Sequence, residues 1–223
     1  MTQTDDFKGI YTAAGISSIL GAIFIIITIA GSVVPSPEVE AEVERDERRL
    51  LRIDGNRLLF SLESGSYMLI WLFLIPLFPA LYLALRGVQQ SYALLGAVIG
   101  VVAIITNLTG SWMFYSLLTL SKIYIAASAA EKTAIVAASQ AVNAMVNVSI
   151  TVGFMLIGVA IIISSLAMLR GVFSKWVGWL GVVTGILFVL AGLLLPLVSI
   201  VFILPIVPVI IWLIGVGAKL YRL

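Results

Sequence analysis

The sequence predicts an all-α polytopic membrane helix bundle of six spans, with one charged helix outside the bilayer, and three observations predict it. Hydrophobic residues make up 61% of the 223, charged residues 11%, and the mean hydropathy is +1.17. A soluble domain cannot bury that much apolar surface. Between Lys175 and Lys219 there is no Asp, Glu, Lys or Arg, which leaves room for two spans of about twenty residues each. The stretch from Glu38 to Arg57, in contrast, holds seven acids and five arginines. Charge and apolar character are thus segregated along the chain, as expected when it alternates between water and lipid.

The first span is read from about Ile10 to Val34. It is too long for a signal-peptide core of about 7 to 15 residues and no small-residue cleavage site follows, so a retained span is expected. Pro35-Ser36-Pro37 ends it. Ser36 can accept from orphan amides and Pro37 has no amide to orphan, so a second helix, about 37–57, is expected to start there and leave the membrane. Its charges pair at helical spacing (Glu42 with Arg45, Glu44 with Arg48, Asp46 with Arg49), while Val39, Val43, Leu50 and Ile53 form a thin apolar stripe. Asp54-Gly55-Asn56 is a turn signal.

The second span, about 67–85, contains Pro76 and Pro79, each of which removes a backbone hydrogen bond and predicts a kink near mid-membrane. Arg86-Gly87 closes it. The third, about 92–118, opens with the small-residue pair Gly96 and Gly100 and carries Asn107, Thr109 and Ser111 further along. Ser128-Ala-Ala-Glu131 is a capping-box pattern, and no breaker follows for about forty residues. A helix of that length runs near 60 Å, about twice the hydrocarbon thickness, so its first turns are expected outside and its span at about 143–169. The fifth span, about 176–196, enters through Lys175-Trp-Val-Gly-Trp179. Its Gly178, Gly181, Gly185 and Gly192 fall at i, i+3, i+7 and i+14, a bare stripe that lets another helix approach closely. The sixth, about 203–219, is expected to carry Pro205 and Pro208 in its first turns.

Composition excludes several chemistries. The chain has no cysteine and no histidine, so thiolate metal sites, thiol nucleophiles and imidazole bases are absent, and neither metal nor cofactor is expected. No charged residue falls in the core of any predicted span, which weighs against proton-coupled transport and against acid–base catalysis inside the bilayer. The basic residues are scattered, giving no case for nucleic acid. Partners are expected to be membrane lipids, with another membrane protein or a second copy of the chain also open. Lysines and arginines in short loops and tails favour both termini on the cytoplasmic side.

Two sets of residues are candidates for function. Asn107, Thr109 and Ser111 on the third span, with Gln140, Asn143 and Asn147 on the fourth, fall at outer-leaflet depth or just above it. They would either hydrogen-bond across helices or line an outward-facing pocket for a lipid or small neutral ligand. Arg45, Arg48, Arg49 and Arg52 are candidates for docking a partner protein. Gly96, Gly100, Gly178, Gly181, Gly185 and Gly192 are candidates for helix packing.

The outer loop ending Asn56-Arg-Leu-Leu-Phe60, the proline-containing run into Leu81-Tyr-Leu-Ala-Leu-Arg86, Gly153-Phe154 to Gly158 ahead of Leu169-Arg170, the Lys175 to Gly181 start of the fifth span and the closing Leu220-Tyr-Arg222 together resemble a prokaryotic membrane family known as domain of unknown function 4386. The resemblance implies six spans and a prokaryotic inner membrane, and brings no catalytic residues. The charged segment Glu38 to Arg52 is not expected as a shared feature. The leading expectation is a non-enzymatic structural, accessory or partner-binding membrane protein. The alternative is a carrier or binding protein for a lipid or small neutral ligand, and an enzyme comes third. A continuous cavity lined by Asn107, Asn143 and Asn147 would favour the alternative, a filled core the first.

Overall fold

The structure, a computed structural model, describes residues 7–33, 45–195 and 199–223. The expected Ser36–Pro37 helix start, residues Glu38 to Glu44 and the Arg45 side chain lie outside the described residues, as does the turn at Pro196. The described chain is helical: α1 (Lys8–Val33), α2 (Arg45–Gly55), α3 (Arg57–Leu74), α4 (Leu77–Ala126), α5 (Ala129–Met168), α6 (Lys175–Leu194), a short 3-10 helix (Ser199–Ile203) and α7 (Ile206–Tyr221).

Five of these helical segments are long and apolar enough to cross a membrane, the second running for 70 residues from Arg57 to Ala126. That segment is two passes. Gln89 leaves helical geometry at φ −146° and ψ 78°, and a Cβ placed on Gly100 would lie 2.3 Å from the Phe78 ring. In a continuous helix those two residues would stand about 33 Å apart. Gln89 lies midway between them, so the chain folds back there, and the ring of Tyr67 meets that of Phe114 at 6.0 Å in the same antiparallel register.

Prolines shape the first arm of this hairpin. The predicted kink is a break: α3 ends at Leu74, Ile75 and Pro76 form a turn, and α4 restarts at Leu77 with Pro79 in its first turn, where the missing amide orphans nothing. The Ser128 capping box forms as expected, the Glu131 carboxylate accepting from the Ser128 N–H at 2.9 Å and its hydroxyl at 2.7 Å. Those bonds hold the Glu131 carboxyl below the ordinary carboxylate range. From this cap α5 runs 40 residues without a break.

The helices close into a ring in the order α1, α3, α4, α5, α6, α7 and back to α1, with α2 resting across the end where α4 finishes and α5 begins. Close approach around the ring relies on absent side chains. Gly158 and Gly185 face each other so tightly that a Cβ on either would sit 2.6 Å or 2.5 Å from the other's carbonyl oxygen. A Cβ on Gly96, Gly178, Gly181 or Gly192 would likewise come within 2.0–2.7 Å of a neighbouring helix. The outer surface is apolar: Val98, Val102 and Ile105 on α4, Ile23 and Ile26 on α1, and Trp176 and Trp179 on α6 are all exposed. Such continuous apolar exposure is that of a protein solvated by lipid, and the chain is a multi-pass helical membrane protein. Several hydroxyls inside the spans bond back to their own helix, as Thr184 does to the Leu180 carbonyl at 2.7 Å and Ser18 to that of Ala14 at 2.7 Å, which satisfies them without water.

Candidate ligand-binding cavity

Inside the ring lies a cavity of about 1400 Å³, larger than the roughly 300–1,000 Å³ of common small-molecule pockets. Two helical stripes build its wall. On α3 it is Phe60, Glu63, Tyr67, Ile70 with Trp71, and Leu74; on α5 it is Asn143, Asn147, Ile150, Phe154, Ile157 and Ile161. Both repeat every three or four residues, so each keeps one helix face towards the centre. Both also change character along the axis, from polar at the α2 end to wholly apolar in the depth. On α5 the stripe runs from Asn143 to Ile161, or about 27 Å at 1.5 Å per residue step.

α6, α7 and the 3-10 helix complete the depth with Phe188, Phe202, Val209, Trp212 and Leu213. Phe154 packs edge-on against Phe188 at 5.2 Å and stacks on Phe202 at 5.5 Å, tying three elements together on that side. Beyond Leu213 the ring is filled: Leu81, Leu85, Met168, Val216 and Leu220 are buried against one another. The cavity is therefore blind, closed towards the Gln89 turn and open towards α2.

The mouth is charged. Asp46, Arg48, Arg49 and Arg52 of α2 line it with Asn56, Glu63 and Ser64. α2 takes this position because Leu50 and Ile53, the apolar half of its stripe, are buried against the bundle. Ser121 on α4 donates to the Leu50 carbonyl at 2.8 Å, and the Tyr124 hydroxyl donates to Glu47. Lys132 stands 4.8 Å over the Tyr124 ring. Burial together with the Glu47 carboxylate pushes the Tyr124 phenol up to about 12, so it is a donor at neutral pH. Glu63, one turn above the predicted span, is raised by burial and pulled back by Arg49 and Arg52.

Four cavity-lining side chains carry a buried polar atom without a well-formed hydrogen bond among the described residues: Asn143 Oδ1, Trp212 Nε1, and Tyr67 Oη and Trp71 Nε1, which stand close to each other. Off the cavity, Asn107 Oδ1 and Ser165 Oγ are in the same condition, and Ser165 Oγ and Trp212 Nε1 both crowd the bare Gly181.

The six polar residues singled out in the sequence separate. Asn143 and Asn147 line the cavity. Asn107 is fully buried but lies off it, its amide filling the space that Gly153 leaves and donating to the Ala103 carbonyl at 2.9 Å. Ser111 donates to the Asn107 carbonyl at 2.8 Å, also off the cavity. Thr109 is exposed on the outer face and bonds back to Ile105, and Gln140 is exposed on α5. Of the four arginines, Arg48, Arg49 and Arg52 meet at the mouth. Tyr67, Trp71, Glu63 and the aromatic depth were not singled out, although the stripe from Phe60 to Leu74 is legible as helical spacing with a polar-to-apolar gradient.

A sequence model of the family described as "Domain of unknown function (DUF4386)" matches residues 14–218, and the chain belongs to that family. No curated protein and no solved structure matches it.

Proposed function

We propose that this member of the DUF4386 family is a non-enzymatic binding or carrier protein for a membrane amphiphile, which it holds in the blind cavity with its polar end under α2. The observation that carries this reading is the gradient along the cavity wall, charged at the mouth and apolar for most of its length. A purely apolar core has no use for such a gradient. An amphiphile matches it end to end.

The accessory reading expects the α2 arginines to face a partner protein. Arg48, Arg49 and Arg52 instead line the protein's own cavity, and Leu50 and Ile53 face its own bundle, which favours the ligand reading. Against catalysis, the carboxylates that line the cavity among the described residues, Asp46 and Glu63, are both at the mouth among arginines, and the polar groups below them are hydroxyls, amides, a phenol and indoles. The protein belongs in the cytoplasmic membrane of a prokaryote with both termini inside and α2 on the outer face, the placement that the short-loop lysines and arginines favour.

Native mass spectrometry of the protein extracted gently from its own membrane tests the reading. A reproducible adduct of amphiphile mass is expected. Ile150→Trp, which puts an indole into the cavity, should deplete it. A wild-type protein without adduct, or an adduct equally abundant in Ile150→Trp, would count against the proposal.

A further inference from the structure

We infer that the cavity takes its lipid tail-first and selects it by the shape and length of one linear acyl chain, with Phe78, Ile161 and Leu213 as the floor that measures it. This rests on the amphiphile-binding reading above and adds the class of hydrocarbon and the residues that choose it. The cavity narrows with depth. At its open end Leu59 and Phe60 are half-buried and Asn147 is exposed, whereas Leu77, Phe78, Ile161 and Leu213, which line the closed end, are almost wholly buried. Side chains beside a broad void keep accessible surface, and these keep almost none. A linear chain is slender enough for such a passage; fused rings are too broad.

The polar end cannot go first. On α5 the wall from Ile150 through Phe154 and Ile157 to Ile161 carries only hydrocarbon side chains, and the one polar side chain among the deep lining residues, Trp212, has its ring nitrogen against Gly181. A headgroup buried there would find no partner, which is costlier than leaving it at the open end.

The apolar wall also has a defined length. Ile150 to Ile161 spans about 16 Å at 1.5 Å per residue step, close to the roughly 15 Å hydrocarbon depth of one leaflet. A chain of ordinary membrane length therefore reaches the floor while its polar end stays at the mouth. Below the floor Leu81, Met168 and Val216 fill the ring. A longer chain has nowhere to put its end and a shorter one leaves apolar void unfilled, and both are unfavourable in a close-packed interior.

The test uses the full chain, purified in detergent and stripped of lipid. Lauroyl, palmitoyl and behenoyl lysophosphatidylcholine share one headgroup and differ in chain length. Each is titrated separately, with cholesteryl hemisuccinate as the ring-bearing probe and occupancy read by native mass spectrometry. Micelle hydrocarbon solvates each added methylene about as well as a protein interior does, so chain hydrophobicity alone gives no preference. The palmitoyl lipid should bind at least about fivefold more tightly than the shorter lauroyl or the longer behenoyl one, and the sterol should bind more weakly still. Ile161→Phe, which raises the floor, should weaken the palmitoyl lipid and spare the lauroyl one. Leu213→Ala, which lowers it, should bring the behenoyl lipid up to the palmitoyl one. A general loss of stability would weaken all three alike, so opposite shifts in preference read the floor itself, and the wild-type comparison decides even where Leu213→Ala does not fold. Equal binding of the three chains, or a preference that neither variant moves, overturns the length assignment while leaving the cavity as a lipid site. Cholesteryl hemisuccinate binding as tightly as the palmitoyl lipid overturns the linear-chain class. Binding of none of the four overturns both readings.

Discussion

Replacing Tyr124 with Phe removes one hydroxyl and tests how α2 is held over the cavity. The Tyr124 ring is buried and its hydroxyl donates to the Glu47 carboxylate. A hydrogen bond to a charged group contributes roughly 1.5–3 kcal/mol. Glu47 is only half-buried and can rehydrate once its partner is gone, so the lower end, about 1.5 kcal/mol, applies. Leu50 and Ile53 remain buried, at 1% and 3% exposure, and contribute roughly 1.5–3 kcal/mol each. α2 should therefore stay docked in most molecules while opening more often. Since about 1.4 kcal/mol is a factor of ten in an equilibrium, amide hydrogen exchange across residues 45–55 should rise about tenfold, with α4 and α5 unchanged. Tyr124→Phe combined with Leu50→Ala, which adds about 2–5 kcal/mol, should release α2 altogether. Unchanged exchange in 45–55 with Tyr124→Phe, or a rise spread over the whole ring, would refute the reasoning.

Other outcomes follow from the same contacts. Gly185→Ala pushes a methyl against the Gly158 carbonyl and should destabilise the bundle by about 1–3 kcal/mol, whereas Gly87→Ala, with nothing within 4 Å, should be neutral or slightly stabilising; unfolding in detergent titrations compares the two. Asn107→Ala should lower stability, by loss of the packing against Gly153, yet leave lipid occupancy intact, while Asn143→Leu should do the reverse; measuring both properties on both variants separates a cavity residue from a packing one. The Tyr124 phenol should titrate at about 12, late relative to an ordinary tyrosine, in a difference absorbance titration of wild type against Tyr124→Phe. Because that folded-state value is raised, the docking it supports is complete below pH 10 and is lost as pH climbs towards 12.

Much of the architecture was legible because membrane helices are written in long apolar runs with end signals. The Ser128–Glu131 cap and the unbroken helix to Met168 followed from one motif and the absence of breakers. The glycine stripe on α6 was visible as spacing, since a missing Cβ is a property of the residue itself. What stayed hidden depended on rotation. Asn107 and Asn143 are equivalent in sequence, polar residues near the outer leaflet, yet one fills the gap at Gly153 and the other lines the cavity. Only the packing of α4 on α5 decides that. A short charged helix alone does not reveal which way its apolar stripe turns; Leu50 and Ile53 turn it towards the bundle and bring Arg48, Arg49 and Arg52 to the mouth. The break at Pro76 was expected as a kink within one helix, but the pair Pro76 and Pro79 withdraws two amides within one turn, and a restart is the better solution.

Tryptophan quenching tests the occupied cavity most directly. Of the five tryptophans, Trp71 and Trp212 line the cavity and Trp112, Trp176 and Trp179 are exposed on the outer surface. With the last three changed to Phe, the remaining emission reports from inside the ring. A lipid brominated along its acyl chain, titrated into the stripped protein in detergent, should quench that emission and saturate near one lipid per chain. Ile150→Trp blocks the cavity but adds an indole of its own, so Ile157→Phe serves as the blocked variant here and should lose the saturable quenching. Emission that stays constant as lipid is added, or that falls only in proportion to the lipid content of the micelle, would contradict a lipid held inside the ring.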